Sequence, residues 1–254
     1  MLLLNPDIIQ IDMSLINEID YNAKSIFRAI TFCKKTSSRK LLDTFVNSTN
    51  SLTELMSIKN AQMEAETEED IKIYQKNLNR AILYIVSEIK NGRTFESQVQ
   101  LFQIFRLISP ESHRKHPNRY RHTLVQIGQH VCPSPEQIAY LVSELFYNMQ
   151  RISHPLLKAI YFHHELIRIH PFVDGNGRVT RIAKNWILMY NLYPPIFIKD
   201  DIEKKEYITS LSGSFRVIEK KDAEWHTETN DFFLQELRRV TESIRYILEQ
   251  IQKK

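Results

Sequence analysis

Twelve consecutive residues, His170-Pro171-Phe172-Val173-Asp174-Gly175-Asn176-Gly177-Arg178-Val179-Thr180-Arg181, hold most of the chemistry this 254-residue chain has to offer. A histidine titrates near neutrality, at about pH 6.5 when unperturbed, so neutral His170 can accept a proton. Asp174 is a hard oxygen ligand. Gly175, Asn176 and Gly177 form a dense turn whose backbone N–H groups can approach a bound anion closely. Arg178 and Arg181 add planar, permanently charged forks that suit phosphate oxygens. The chemistry implied is proton abstraction beside a built anion site.

The elements that must position these residues are legible around them. Pro171 disfavours helical geometry at His170, so the apolar helix from His154 to Ile169 should end there. Apolar residues then recur at Val179, Ile182, Ala183, Trp186 and Ile187, which is helical spacing. The segment reads as helix, tight loop, helix, with the unpaired N–H groups and positive end of the second helix converging on one spot. Each residue alone has a plainer reading. His170 could cap a helix, Asp174 could be an N-cap, and the arginines could be surface residues of a first turn. Cations are disfavoured at a helix N-terminus, however, so two arginines there point to a bound anion.

This string resembles the Fic domain signature, His-x-Phe-x-Asp/Glu-Gly-Asn-Gly-Arg-x-x-Arg, at every specified position. The resemblance implies an all-α, Fic-type helical bundle with a short β-hairpin flap. It implies transfer of AMP from ATP to a hydroxyl of a target protein, on Tyr, Thr or Ser. His170 would be the general base, and Gly175, Asn176 and Gly177 would hold phosphate oxygens. Asp174 would bind Mg²⁺ between the α- and β-phosphates, Arg178 would serve the β-phosphate side and Arg181 the γ-phosphate. Phe172 would anchor the loop in the core. Asn118-Arg119-Tyr120-Arg121 stands where the family has Gly-x-Tyr-Arg ahead of its flap, and Asn118 tolerates the positive φ that glycine would adopt. The flap edge, with Thr123, Val125 and Ile127 alternating, would dock the target backbone by strand addition.

Many Fic proteins also carry an inhibitory helix, Ser/Thr-x-x-x-Glu-Gly/Asn, whose glutamate pairs with the second motif arginine. The best match is Asn50-Ser51-Leu52-Thr53-Glu54-Leu55, which departs from the pattern at both ends. It nominates Glu54 as the inhibitor facing Arg181, against the plain reading of an exposed helix glutamate. Residues 231–254 hold no equivalent.

Composition agrees with an all-α fold. Five glycines in 254 residues is far below the usual ~7%, which argues for long helices and few tight turns. Helical periodicity runs over Ile16–Phe32, Leu41–Ile58, Ile71–Ile89, Val99–Leu107, Pro135–Met149, His154–Ile169, Gly177–Tyr190, Asp201–Leu211 and Asp231–Ile251. Lys90–Thr94 and Ser109–Pro117 read as loops, and Tyr120–Pro135 as a hairpin. The expected organisation is an N-terminal helical region over 1–86, a Fic core over 87–215 and a C-terminal helix over 216–254. The net charge of +4 leaves no nucleic-acid footprint, and the basic run from His113 to His122 reads as a solvated loop.

Cys33 and Cys132 lack metal spacing, and His163 and His164 read as structural. No apolar run is long enough for a membrane span. Pro6 and Asp7 come too early for a signal peptide, so the chain reads as cytoplasmic. The apolar stripe of the last helix must pack on the core or on a second subunit, which leaves a homodimer open. The alternatives to AMP transfer are Fic-type transfer from a different nucleotide donor and a nucleotide-binding regulatory or toxin–antitoxin module. Gly177 speaks against the phosphorylating branch, which has Lys there.

Overall fold

The computed structural model describes residues 2–34, 41–117, 119–220 and 224–252, without the side chains of 30–34, 41–43 and 252. Asn118 and the side chain of Cys33 therefore lie outside the described residues. Within them the chain is a helical bundle with one two-stranded antiparallel sheet. None of the described helices is long and apolar enough to cross a membrane.

The centre is a hairpin of two helices, α8 (Pro155–Ile169) and α9 (Asn176–Tyr190), joined by the loop that carries the motif. Both are buried nearly all round, as expected of helices apolar on most faces. Helices α4 (Glu68–Lys90) and α5 (Gln98–Ile108) cover α9, while α7 (Pro135–Arg151) and α11 (Thr227–Gln252) cover α8. Helix α1 (Met13–Lys34) packs on α11, α10 (Asp201–Lys220) on α11, and α3 (Asn50–Glu64) on α4. Burying α8 brings His164, Glu165 and Arg168 into the core, where they must satisfy one another. Arg168 donates to Glu165 at 3.0 Å, His164 Nδ1 lies 2.6 Å from the same carboxylate, and the Leu4 N–H donates to it at 3.2 Å.

Local chemistry sets the element ends. Thr67 and Asp70 form a reciprocal capping box on α4, and Ser97 with Gln100 does the same on α5. The expected single helix over Leu41–Ile58 is broken into α2 (Leu41–Ser48) and α3, because the Thr49 hydroxyl turns back to the Val46 carbonyl at 2.9 Å. Part of the expected loop 109–117 is the short helix α6 (Pro110–Lys115), started by a proline whose fixed φ suits a first turn. Helix α10 continues past Leu211 through Gly213, where the Glu228 side chain packs within 3.7 Å of the place a Cβ would occupy. Helices α4 and α10 run through residues 86/87 and 215/216, so the expected region boundaries fall inside continuous elements.

The hairpin is shorter than its alternation suggests. Only β1 (Gln126–Ile127) and β2 (His130–Val131) pair, with Gln126 opposite Val131 and Gly128 turning the chain at φ 58°. Val125 and Ile127 are half-buried, while Thr123, Leu124 and Gln126 are exposed. Thr123 lies in a bend outside the strand, so the three proposed docking residues do not form one edge.

Candidate functional site

Helix α8 ends on His170, which takes the left-handed conformation, φ 51° and ψ 61°, while its N–H closes the last turn on the Leu166 carbonyl at 3.0 Å. Pro171 follows directly and cannot continue the helix. Phe172 is fully buried and stacks on Phe105 with ring centroids 4.2 Å apart, anchoring the loop. Asn176 closes it: its Oδ1 accepts the Phe172 N–H and its Nδ2 donates to the Phe172 carbonyl, both at 2.8 Å. The cap of α9 is Gly175, at φ 71°, and not Asp174. The first intrahelical bond falls on the Gly175 carbonyl from Val179, so the earlier N–H groups of the turn remain available to an anion.

Burial pushes the His170 imidazole down to about pH 4, and the Arg121 guanidinium works in the same direction while Glu64 opposes it. A neutral ring at physiological pH is what a proton acceptor requires. Asp174, half-exposed, accepts from the Ser109 hydroxyl at 2.8 Å and from Arg178 Nη2 at 3.1 Å. Among the described residues no three His, Cys, Asp or Glu side chains converge on a metal position. One half-exposed carboxylate still fits Mg²⁺, which commonly takes a carboxylate or two and fills its shell with waters and substrate phosphates.

The arginines are not free. Arg178 Nε donates to Glu64 Oε2 at 2.9 Å, and its guanidinium lies over the Tyr74 ring, 3.7 Å from the centroid. Arg181 Nη2 donates to Glu64 Oε1, and its Nε donates to Asn60 Oδ1 at 2.7 Å. A single carboxylate therefore bridges both forks. It comes from the last turn of α3, not from Glu54, which is exposed ten residues earlier on that helix. The nomination of Glu54 is thus corrected by ten positions, while the kind of contact expected, a carboxylate on Arg181, is present.

Glu64, Asn60, Tyr74 and Ser109 were missed in the sequence. Asn60-Ala61-Gln62-Met63-Glu64-Ala65 has the inhibitory spacing, yet it departs from the pattern at both ends just as the segment around Glu54 does. Helix phase separates the two, because Leu52, Met56 and Asn60 lie on a buried i, i+4 line that ends on Glu64. His163 and His164 are structural, as read: His163 lies 3.0 Å from Tyr207 and His164 2.8 Å from Ser214.

Residues 95–188 match the Fic/DOC family. The chain carries a Fic domain. Its relatives include Protein adenylyltransferase Fic of Culex quinquefasciatus, 33% identical over 134 residues, which are 51% of this chain and 27% of that protein. The aligned region thus covers only about a quarter of that relative. Similar folds include a Fic domain containing signaling protein from Bacteroides thetaiotaomicron, with TM-score 0.68, 18% identity, and coverage of 92% of this chain and 98% of that one. They also include IbpAFic2 in complex with adenylylated Cdc42, with TM-score 0.54, 16% identity, and coverage of 89% and 70%. At these identities the structural matches establish the fold. The Fic domain spans the hairpin, α8, the loop and most of α9, and leaves α3, which supplies Glu64, outside it.

Proposed function

We propose that this protein transfers AMP from ATP to a hydroxyl side chain of a target protein. The observation that carries the reading is a neutral, half-buried imidazole at the mouth of a loop whose open N–H groups and two arginines face one anion position. His170 takes the hydroxyl proton as the oxygen attacks the α-phosphorus. The new O–P bond forms as the bond to pyrophosphate breaks. Backbone N–H groups of Gly175, Asn176 and Gly177 hold the α-phosphate oxygens as charge grows on them. Arg178 and Arg181 hold the β- and γ-phosphates. Asp174 would hold Mg²⁺, which when bound neutralises phosphate charge. The relatives named as adenylyltransferases and the capture of an adenylylated protein on a similar fold support this reading.

Glu64 restrains the reaction in this reading. Its carboxylate occupies both guanidinium forks, so the β- and γ-phosphates and Glu64 compete for the same donors. The test is transfer of label from α-labelled ATP with Mg²⁺, read by intact mass and autoradiography. Glu64→Gly is expected to raise labelling at least tenfold over wild type, and adding His170→Ala is expected to abolish it. Mg-ATP binding without label in any variant would sink the adenylylation reading and favour a nucleotide sensor or another donor.

A further inference from the structure

Arg121 is the most heavily used side chain near the base, and nothing in the proposed reaction calls on it. It is 2% exposed and has no carboxylate partner among the described residues. Its guanidinium instead spends its donors on four backbone carbonyls from three segments. Nε donates to His170 at 2.7 Å, Nη1 to Thr123 at 2.6 Å, and Nη2 to Pro133 at 2.7 Å and to Ile169 at 3.3 Å. Its own backbone N–H donates to the Pro171 carbonyl at 2.8 Å. The carbonyls of Ile169 and His170 belong to the C-terminus of α8, where the helix dipole favours a cation. Thr123 and Pro133 are the entering and leaving legs of the hairpin. His130, on β2, reinforces the tie by bonding the Arg168 carbonyl through Nε2 at 2.8 Å.

We infer that Arg121 is a positioning residue that fixes the register of the hairpin relative to His170, so that a hydroxyl docked on the hairpin arrives at the base. This inference rests on the proposed AMP transfer and on the target docking along the hairpin that the Fic resemblance implies. The physical reason is geometric. A chain docked by strand addition is placed by the hairpin backbone, while the proton acceptor is placed by the end of α8. Only a rigid tie between the two turns docking into alignment, and a misplacement of about 1 Å can cost on the order of 10²-fold in rate. Lysine cannot substitute, because a single ammonium has no planar fork to span carbonyls in three directions.

The test places Arg121→Lys and Arg121→Met in the Glu64→Gly background. Three quantities are measured on protein shown to be folded by circular dichroism: Mg-ATP affinity, kcat and KM for transfer, and amide hydrogen exchange. The expected result is a fall in kcat of about 10²-fold, Mg-ATP affinity within twofold, and faster exchange at Cys132 and Arg121, whose N–H groups close the hairpin and the Pro171 tie. Arg121→Lys is expected to recover folding without recovering kcat. Unchanged exchange and kcat in Arg121→Met would overturn the inference, as would a loss of kcat that tracks a loss of Mg-ATP binding. If Glu64→Gly binds Mg-ATP yet transfers nothing, the functional reading fails on its own. The exchange measurement then still decides whether Arg121 ties the hairpin to α8.

Discussion

His170 is half-buried, yet in the proposed reaction it must still reach a hydroxyl. Because its folded pKa of about 4 lies below the unfolded value near 6.5, the unfolded chain binds the extra proton between those limits. Stability attributable to this ring is therefore complete above about pH 6.5 and declines as pH falls toward 4. Ring titration by NMR should show a His170 midpoint near 4, and the proposed base function should survive to mildly acidic pH. Glu64→Gly should lower that midpoint further, since the carboxylate favours the charged ring. Glu54→Gly, at an exposed position of α3, should leave labelling at the wild-type level, in contrast to Glu64→Gly. The motif residues were legible because eight fixed identities share twelve positions. Glu64 was not, since Asn60 and Ala65 replace both flanking landmarks and only the burial phase of α3 singles it out.

The elements that serve the site are held by short-range devices, and these make their own predictions. Gly175 sits at φ 71°, and a Cβ there would run into the Ser109 hydroxyl and approach Ile108 to 3.1 Å. Gly175→Ala should therefore cost about 1–3 kcal/mol in denaturant unfolding. The Thr67–Asp70 box starts α4 three residues after Glu64, so it fixes the turn from which that carboxylate reaches across. Thr67→Ala should cost about 1 kcal/mol, measured the same way. Long helices were readable from periodicity because their buried faces are wide. The split at Thr49, the first turn of α6 and the two-residue strands escaped notice. Each depends on one hydroxyl or one proline, or on a pairing too short to leave an alternating record.

Across the molecule, the charged core knits α8, α9 and α11 together beneath the loop. Lys184 donates to Glu236 at 2.5 Å, Arg239 donates to it at 2.7 Å, and His163 lies 3.2 Å away. Burial works to raise the Glu236 carboxyl, yet Lys184 and His163 beside it hold it well below the usual carboxylate range. Glu236→Gln would leave buried Lys184 without its counter-charge and Arg239 with only Glu203, 3.7 Å away, a loss of about 3–5 kcal/mol. In a domain of this size that should lower Tm by roughly 10 °C. None of this was visible in the sequence, where only the apolar stripe of the last helix stands out; the packing of α11 on α8 and α10 is what buries Glu236 and Arg239.

The position of Glu64 has a further meaning in time. It precedes Arg178 by 114 residues, so the carboxylate leaves the ribosome first, and at 5–20 residues per second it leads by roughly 6–20 s. By the time the loop and α9 can fold, the group that occupies their arginines is already made. In the proposed reading the site is therefore restrained as soon as it folds, and opening it is a later event.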